Sequence, residues 1–358
     1  MPGRKPHTKS KTGCYSCKKR RVKCEVSSSA LPRSNPPSKT NTIELELWHK
    51  WTLGTYRHFT NDKPNGSCDT WQILVPKLAL ECDYLRNAIL AISAIHIVLE
   101  SSTPSQPGTS PYMLAALEYH NAACQAFRDV KSPAINQNES GEGTHFTTVY
   151  AFSVITVAFT LELSQCHELL DQTTGIGTSV LGNITMLFGL MQGFGSVILS
   201  NILEFSKGPL PINLDSFSDF RRQELNENTK VALQRLQLII DQAREFQDDH
   251  EVNEANSEAL VWLKMCFSFY SEDNRDVILI WPIATGPKFT QAIERGEDDV
   301  PRLMLLHWAV LLHRFGDGTR FSRRLGSKLA EELCRSVPRK NALWKESVQW
   351  VQQQVGLL

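Results

Sequence analysis

Net charge is what this 358-residue sequence lacks: 38 Lys and Arg balance 38 Asp and Glu, so total charge selects no partner. No run of alternating apolar and polar residues lies between turn dipeptides, which argues against a sheet built from hairpins. No period of about 20–50 residues recurs, which argues against a repeat array. The first thirty residues hold no apolar stretch of the kind an export leader needs. The two most apolar segments, Tyr150–Leu161 and Met186–Phe205, fall short of the roughly 20 consecutive apolar residues that span a bilayer. Both read as buried core helices, and no membrane partner is expected.

Catalytic signatures are missing as well. There is no His-Glu-x-x-His. Gly193-Phe-Gly195-Ser196-Val197 lacks the glycine that a nucleophile elbow needs after serine. Gly175-Ile-Gly177 follows a polar loop, not a strand, and makes no dinucleotide fingerprint. His96, His307 and His313 sit in apolar helical patterns as core or rim residues. The sequence therefore predicts a protein that is not an enzyme.

What is present is an uneven distribution of charge. Residues 1–25 carry nine Lys or Arg against the single acid Glu25, so the remainder of a neutral chain carries eight compensating negative charges. A short cationic arm on an acidic body points toward nucleic acid. Residues 27–42 then read Ser-Ser-Ser-Ala-Leu-Pro-Arg-Ser-Asn-Pro-Pro-Ser-Lys-Thr-Asn-Thr, too poor in apolar side chains to offset the entropy of ordering them. They are expected to be a linker. With 41% hydrophobic residues overall, the rest can bury a sizeable core.

From Ile43 to Leu358 apolar residues recur at three- and four-residue spacing, and the body is predicted to be all-α, with about ten helices. Leu85, Ala88, Ile89, Ile92, Ile95 and Leu99 make one wide stripe. Leu225, Ala232, Leu236, Ile239, Ala243 and Phe246 make another. Only Val277–Trp281 reads as a strand, ended by Pro282. Glu294–Asp299 reads as a solvated acidic turn. Cys68, Cys82, Cys124, Cys166, Cys266 and Cys334 are scattered and read as small buried hydrophobes. Met186, Leu190, Met191 and Phe194 lie at helical spacing beside Gly189, Gly193 and Gly195. They read first as helix packing and second as the wall of a pocket for a hydrophobic small molecule.

The chemistry-bearing string is Gly13-Cys14-Tyr-Ser-Cys17-Lys-Lys-Arg-Arg-Val-Lys-Cys24. Two cysteines separated by two residues can grip one zinc ion, with sulfur about 2.3 Å from the metal. Cys24, about two helical turns beyond Cys17, returns to the same side. The intervening Lys18, Lys19, Arg20, Arg21 and Lys23 would leave the outer faces of that short helix basic. Such a rod suits the major groove of double-stranded DNA, where arginine donates two hydrogen bonds to guanine.

The string resembles the first half of the fungal binuclear zinc cluster of six-cysteine transcription factors. The resemblance implies that Cys14, Cys17 and Cys24 are zinc ligands. It also implies that Arg20 and Arg21 contact bases of CGG-type half-sites, while Lys18, Lys19 and Lys23 serve the phosphates. The second cysteine half is missing here, since Glu25-Val26 runs into the linker and the next cysteine is Cys68. Three thiolates cannot fill two tetrahedral sites; they suit one zinc with water or His7 as the fourth ligand. The body, through Leu45–Tyr56, Trp71–Leu80, Tyr84–His96 and Pro301–His313, is similar to the regulatory regions of factors related to sterol uptake control proteins. The organisation implied is a truncated zinc-cluster arm over 1–26, a linker over 27–42 and a helical regulatory domain over 43–358. The function implied is a nuclear transcription regulator of a metabolic, secondary-metabolite or sterol-related pathway, working with the transcription machinery or co-regulators. The alternative is a nuclear interaction or lipid-sensing module that has lost zinc-dependent reading of DNA and keeps the basic run as an import tag.

Overall fold

A computed structural model describes residues 39–59, 70–100, 110–129, 142–166, 179–200, 224–246, 249–272, 274–318 and 324–358. The described residues are helical throughout, with no strand beyond an isolated bridge between Ser271 and Asn274. The all-α expectation holds. The chain divides into two units, Met1–Glu46 and Leu47–Leu358.

The helices are α1 (Lys39–Leu53), α2 (Val75–Ala79), α3 (Asp83–Glu100), α4 (Pro111–Asp129), α5 (Glu142–Leu163) and α6 (Val180–Ser200). They continue with α7 (Glu227–Phe246), α8 (His250–Phe269), α9 (Ile280–Ala284), α10 (Gly286–Arg295), α11 (Asp299–Gly318), α12 (Leu325–Ser336) and α13 (Ala342–Gln354). Helix α1 begins four residues inside the segment expected to be linker. Short 3-10 turns lie at Thr55–Phe59 and Arg275–Leu279, and a π turn at Thr70–Leu74 leads into α2.

Two helices organise the second unit, and the sequence of each explains why. Tyr84, Leu85, Leu90, Ala91 and Ile95 of α3 are buried together with the Ala88, Ile89 and Ile92 stripe, so α3 is apolar nearly all round. A helix of that kind has to be enclosed, and α4 and α5 enclose it. Leu303 to Leu312 of α11 are without exception fully buried, in one continuous core that gathers α6, α7, α8, α12 and α13. Fully burying each leucine or isoleucine contributes about 1.5–3 kcal/mol before ordering costs. Trp308 anchors the centre, 5.7 Å from Trp281 in a stacked pair and 5.4 Å from Phe188 edge-on. Their indole N–H groups are satisfied by backbone: Trp308 donates to Ile278 O at 3.1 Å, and Trp281 to Ala259 O at 2.8 Å.

Val277–Trp281 is no strand. It forms the 3-10 turn and the start of α9, with Val277, Ile278 and Trp281 turned inward. Pro282 sits in the first turn of α9, where its missing N–H costs no helical bond. Helix α10 follows, an element with no long apolar stripe to announce it. Its signals are Gly286-Pro287 at the start, Phe289 and Ile293 one turn apart on the buried face, and Gly296 at φ +66° as left-handed stop.

The 294–299 stretch is more than a solvated turn. Asp298 Oδ1 accepts from Val300 N at 2.9 Å and caps α11, its Oδ2 accepts from Asn256 Nδ2 at 3.1 Å, and Asp299 pairs with Lys340 at 2.8 Å. By length and composition, two helical stretches, His145–Cys166 and Val180–Val197, are apolar enough to cross a bilayer. The first is longer than the run Tyr150–Leu161 read from sequence, because its threonines and serines do not interrupt the helix. Most of the first is buried inside the unit, the second much less so.

Candidate functional site

Cys14, Cys17, Cys24, Lys18, Lys19, Arg20, Arg21 and Lys23 lie outside the described residues, as do His7 and Cys68. The described residues contain no group of three or more His, Cys, Asp or Glu able to hold a metal ion. Of the remaining cysteines, Cys166 and Cys266 are buried, and burial pushes each thiol up to about 12. Cys82, Cys124 and Cys334 are only half-buried, so the small-hydrophobe reading fits two of the five described thiols.

The four α6 positions do not share one wall. Met191 packs in the core, Met186 is 47% exposed, Leu190 is half-buried, and Phe194 meets Phe152 edge-on at 5.9 Å. Among the α6 glycines, close approach explains Gly195: a Cβ there would lie 2.6 Å from Ile283 Cγ2, whereas Gly189 and Gly193 face open space. Gln192 ties the same helix to α9 and α10, donating to Pro282 O and Thr290 Oγ1, both at 2.9 Å. Glu332 of α12 holds the other end, accepting from Val180 N at 2.8 Å and from Leu181 N at 3.3 Å.

A cleft of about 420 Å³ opens elsewhere, between α7, the α10–α11 turn and the start of α13. Ile239 and Ala243 form its apolar side, Glu297 and Asp299 its acidic rim. The Lys340 ammonium lies over the Trp344 ring at 4.9 Å while it pairs with Asp299. None of the four α6 residues lines it.

The most organised polar chemistry is internal. Thr55 Oγ1 lies 3.0 Å from His96 Nδ1, and His96 Nε2 lies 2.8 Å from Glu162 Oε1. The order is hydroxyl, imidazole, carboxylate, joining the turn after α1 to α3 and α5. All three side chains are fully buried, so no substrate can reach the hydroxyl. What the arrangement can do is fix three elements in register, because a buried carboxylate must keep its partners. His307 meets the same burial with less: its Nδ1 is 2.8 Å from Leu303 O, and desolvation holds it at about 4, well below the usual imidazole value. His313 is half-buried against Ser327 Oγ at 3.0 Å, so the core-or-rim reading of the three histidines fits.

Comparison with known proteins adds one distant likeness. The chain is 30% identical over 135 residues to the Zn(2)-C6 fungal-type transcription factor afumD of Aspergillus fumigatus. That alignment takes in 28% of this chain and 36% of the relative's length. No family model matches the chain, and no solved structure matches it.

Proposed function

We propose that this chain is a transcription regulator that contacts double-stranded DNA through a zinc-bound N-terminal arm and carries a helical regulatory domain from about residue 43 onward. The observation that carries the reading is Cys14-x2-Cys17-x6-Cys24 with five basic residues enclosed. A six-cysteine transcription factor as a distant relative, and an all-helical body behind the arm, support it. Cys14, Cys17 and Cys24 would hold one zinc, with a fourth donor from outside the trio; the donor set does not fit two ions. Bound zinc would draw the thiolates together and so order the intervening helix. Arg20 and Arg21 would read guanine edges, Lys18, Lys19 and Lys23 would neutralise phosphates, and the protein would act in the nucleus with co-regulators.

The test is zinc content of the purified full-length chain together with gel retardation of CGG-containing duplexes. One zinc per chain is expected, with retardation that chelator abolishes and Cys14→Ala removes. Arg21→Ala should weaken specific binding about 10-fold or more. Binding indifferent to chelator and to sequence would overturn DNA reading and leave the second reading. That is a nuclear interaction or lipid-sensing module with a basic import tag, favoured by the three absent cysteines.

A further inference from the structure

Helices α11 and α13, packed against each other, carry three buried polar atoms that have no hydrogen-bond partner in the protein: His307 Nε2, Ser347 Oγ and Trp350 Nε1. His307 and Ser347 are fully buried, and Trp350 is 7% exposed. The imidazole stacks on the Trp350 indole, ring centroids 5.4 Å apart and 21° between planes, and Ser347 precedes Trp350 by one helical turn. Their hydrogen-bonding roles can be assigned. Leu303 O can only accept, so His307 Nδ1, 2.8 Å away, carries the proton. Nε2 of the neutral ring is then a bare acceptor. Burial, reinforced by the Arg235 charge, keeps that ring neutral at physiological pH. Trp350 Nε1 is a donor only, and Ser347 Oγ serves either way.

We propose that the α11–α13 seam binds one internal water molecule, which accepts from Trp350 Nε1–H and donates to His307 Nε2 and Ser347 Oγ. One acceptor and one donor role at fixed nitrogens, with a hydroxyl as third partner, match the two to four bonds that a buried water makes. The near-parallel stack sets the two rings side by side in this seam, with no protein donor or acceptor at either nitrogen. Alternative remedies within the protein fail on chemistry. His307 Nε2 and Trp350 Nε1–H would have to meet in the ring planes, and stacked rings do not present those atoms to each other. The Arg235 guanidinium on α7 is engaged with Glu346 at 2.9 Å. The water would therefore be an integral part of how the C-terminal helix seats on α11, and α13 would dock through a hydrated polar bridge in the middle of an apolar contact.

The experiment is a high-resolution crystal structure of the full chain, read with water cross-relaxation at the Trp350 indole proton, assigned through its loss in Trp350→Phe. A solvent peak within about 2.7–3.2 Å of both nitrogens, and a slowly exchanging indole proton that cross-relaxes with a long-lived water, are expected. Ser347→Val, which fills the hydroxyl's side with a methyl group, should abolish the water signal while circular dichroism stays helical. Absence of the peak would overturn the proposal, as would a Trp350 Nε1 bonded directly to a protein acceptor, or persistence of the water signal in folded Ser347→Val.

Discussion

His96 and His307 are both fully buried in the central helix of their own region, yet their surroundings answer burial differently. Around α3 the imidazole is held from both sides, by the Thr55 hydroxyl and the Glu162 carboxylate. Around α11 it is held on one side by a backbone carbonyl and stacked on Trp350 on the other. The first solution adds a polar link to elements already joined by rings, with Tyr84 edge-on to Phe152 at 5.2 Å and to Phe127 at 5.3 Å. The second rests on one ring, that of Trp350, in a core that elsewhere stacks Trp281 on Trp308. A buried carboxylate costs desolvation that only close partners return, and His96, held in turn by Thr55, supplies one; His307, kept neutral by burial, avoids that cost.

The largest effect expected in either region is at Gly326 of the α11 core. A Cβ there would meet the backbone of His313 and lie 2.6 Å from Ala309 O, and backbone cannot retreat as a side-chain tip can. Gly326→Ala should cost more than about 4 kcal/mol in urea unfolding or prevent folding outright. Next comes the α3 region: Glu162→Ala, leaving the buried imidazole without its carboxylate, should cost about 3–5 kcal/mol. A double-mutant cycle with His96→Leu should show strong coupling between the two, and near-additive losses would break the contrast drawn here.

Titration should separate the regions further. The folded-state value of His307 is depressed to about 4, so the unfolded chain binds the extra proton first. Stability from this group is complete above the ordinary imidazole value and declines as pH falls from about 6.5 toward 4, by about 3 kcal/mol in all. Half-buried His120, also held near 4 by desolvation, adds a slope of the same sign. His307→Phe should flatten the His307 part of the slope in urea melts at stepped pH, and an unaltered slope would mean that the imidazole is not the group responsible. The smallest effect is at Gly193, where an added Cβ meets nothing within 4 Å. Gly193→Ala should stabilise by about 0.5–1 kcal/mol, the difference in helix propensity, with thermal melting as the check.

Much of the helical fold was legible because its stripes are long. The Leu85–Leu99 and Leu225–Phe246 stripes run for three turns or more and coincide within a few residues with α3 and α7. Val277–Trp281 misled because a five-residue apolar run has no period of its own, and burial by Trp308 and α8 decides its conformation. Helix α10 escaped because its ten residues offer only Phe289, Thr290 and Ile293 to the core. Asp298 and Asp299 looked like solvated charge because a cap and an ion pair to Lys340, forty-one positions away, leave no trace in the local sequence. The Met186–Phe194 stripe could be placed on a helix from its spacing, but which of its residues face inward depends on where α9 and α10 come to lie.

By itself the sequence determined the class of fold, through the three-to-four residue recurrence of apolar side chains that only enclosed helices satisfy. It also determined where thiolates and cations concentrate, since Cys14 to Cys24 are neighbours along the chain. Only the tertiary structure decided that Thr55, His96 and Glu162 meet, and that His307 lies on Trp350. Those partners are separated by about forty to seventy residues, and at such distances along a chain it is packing that selects which polar groups share one desolvated space.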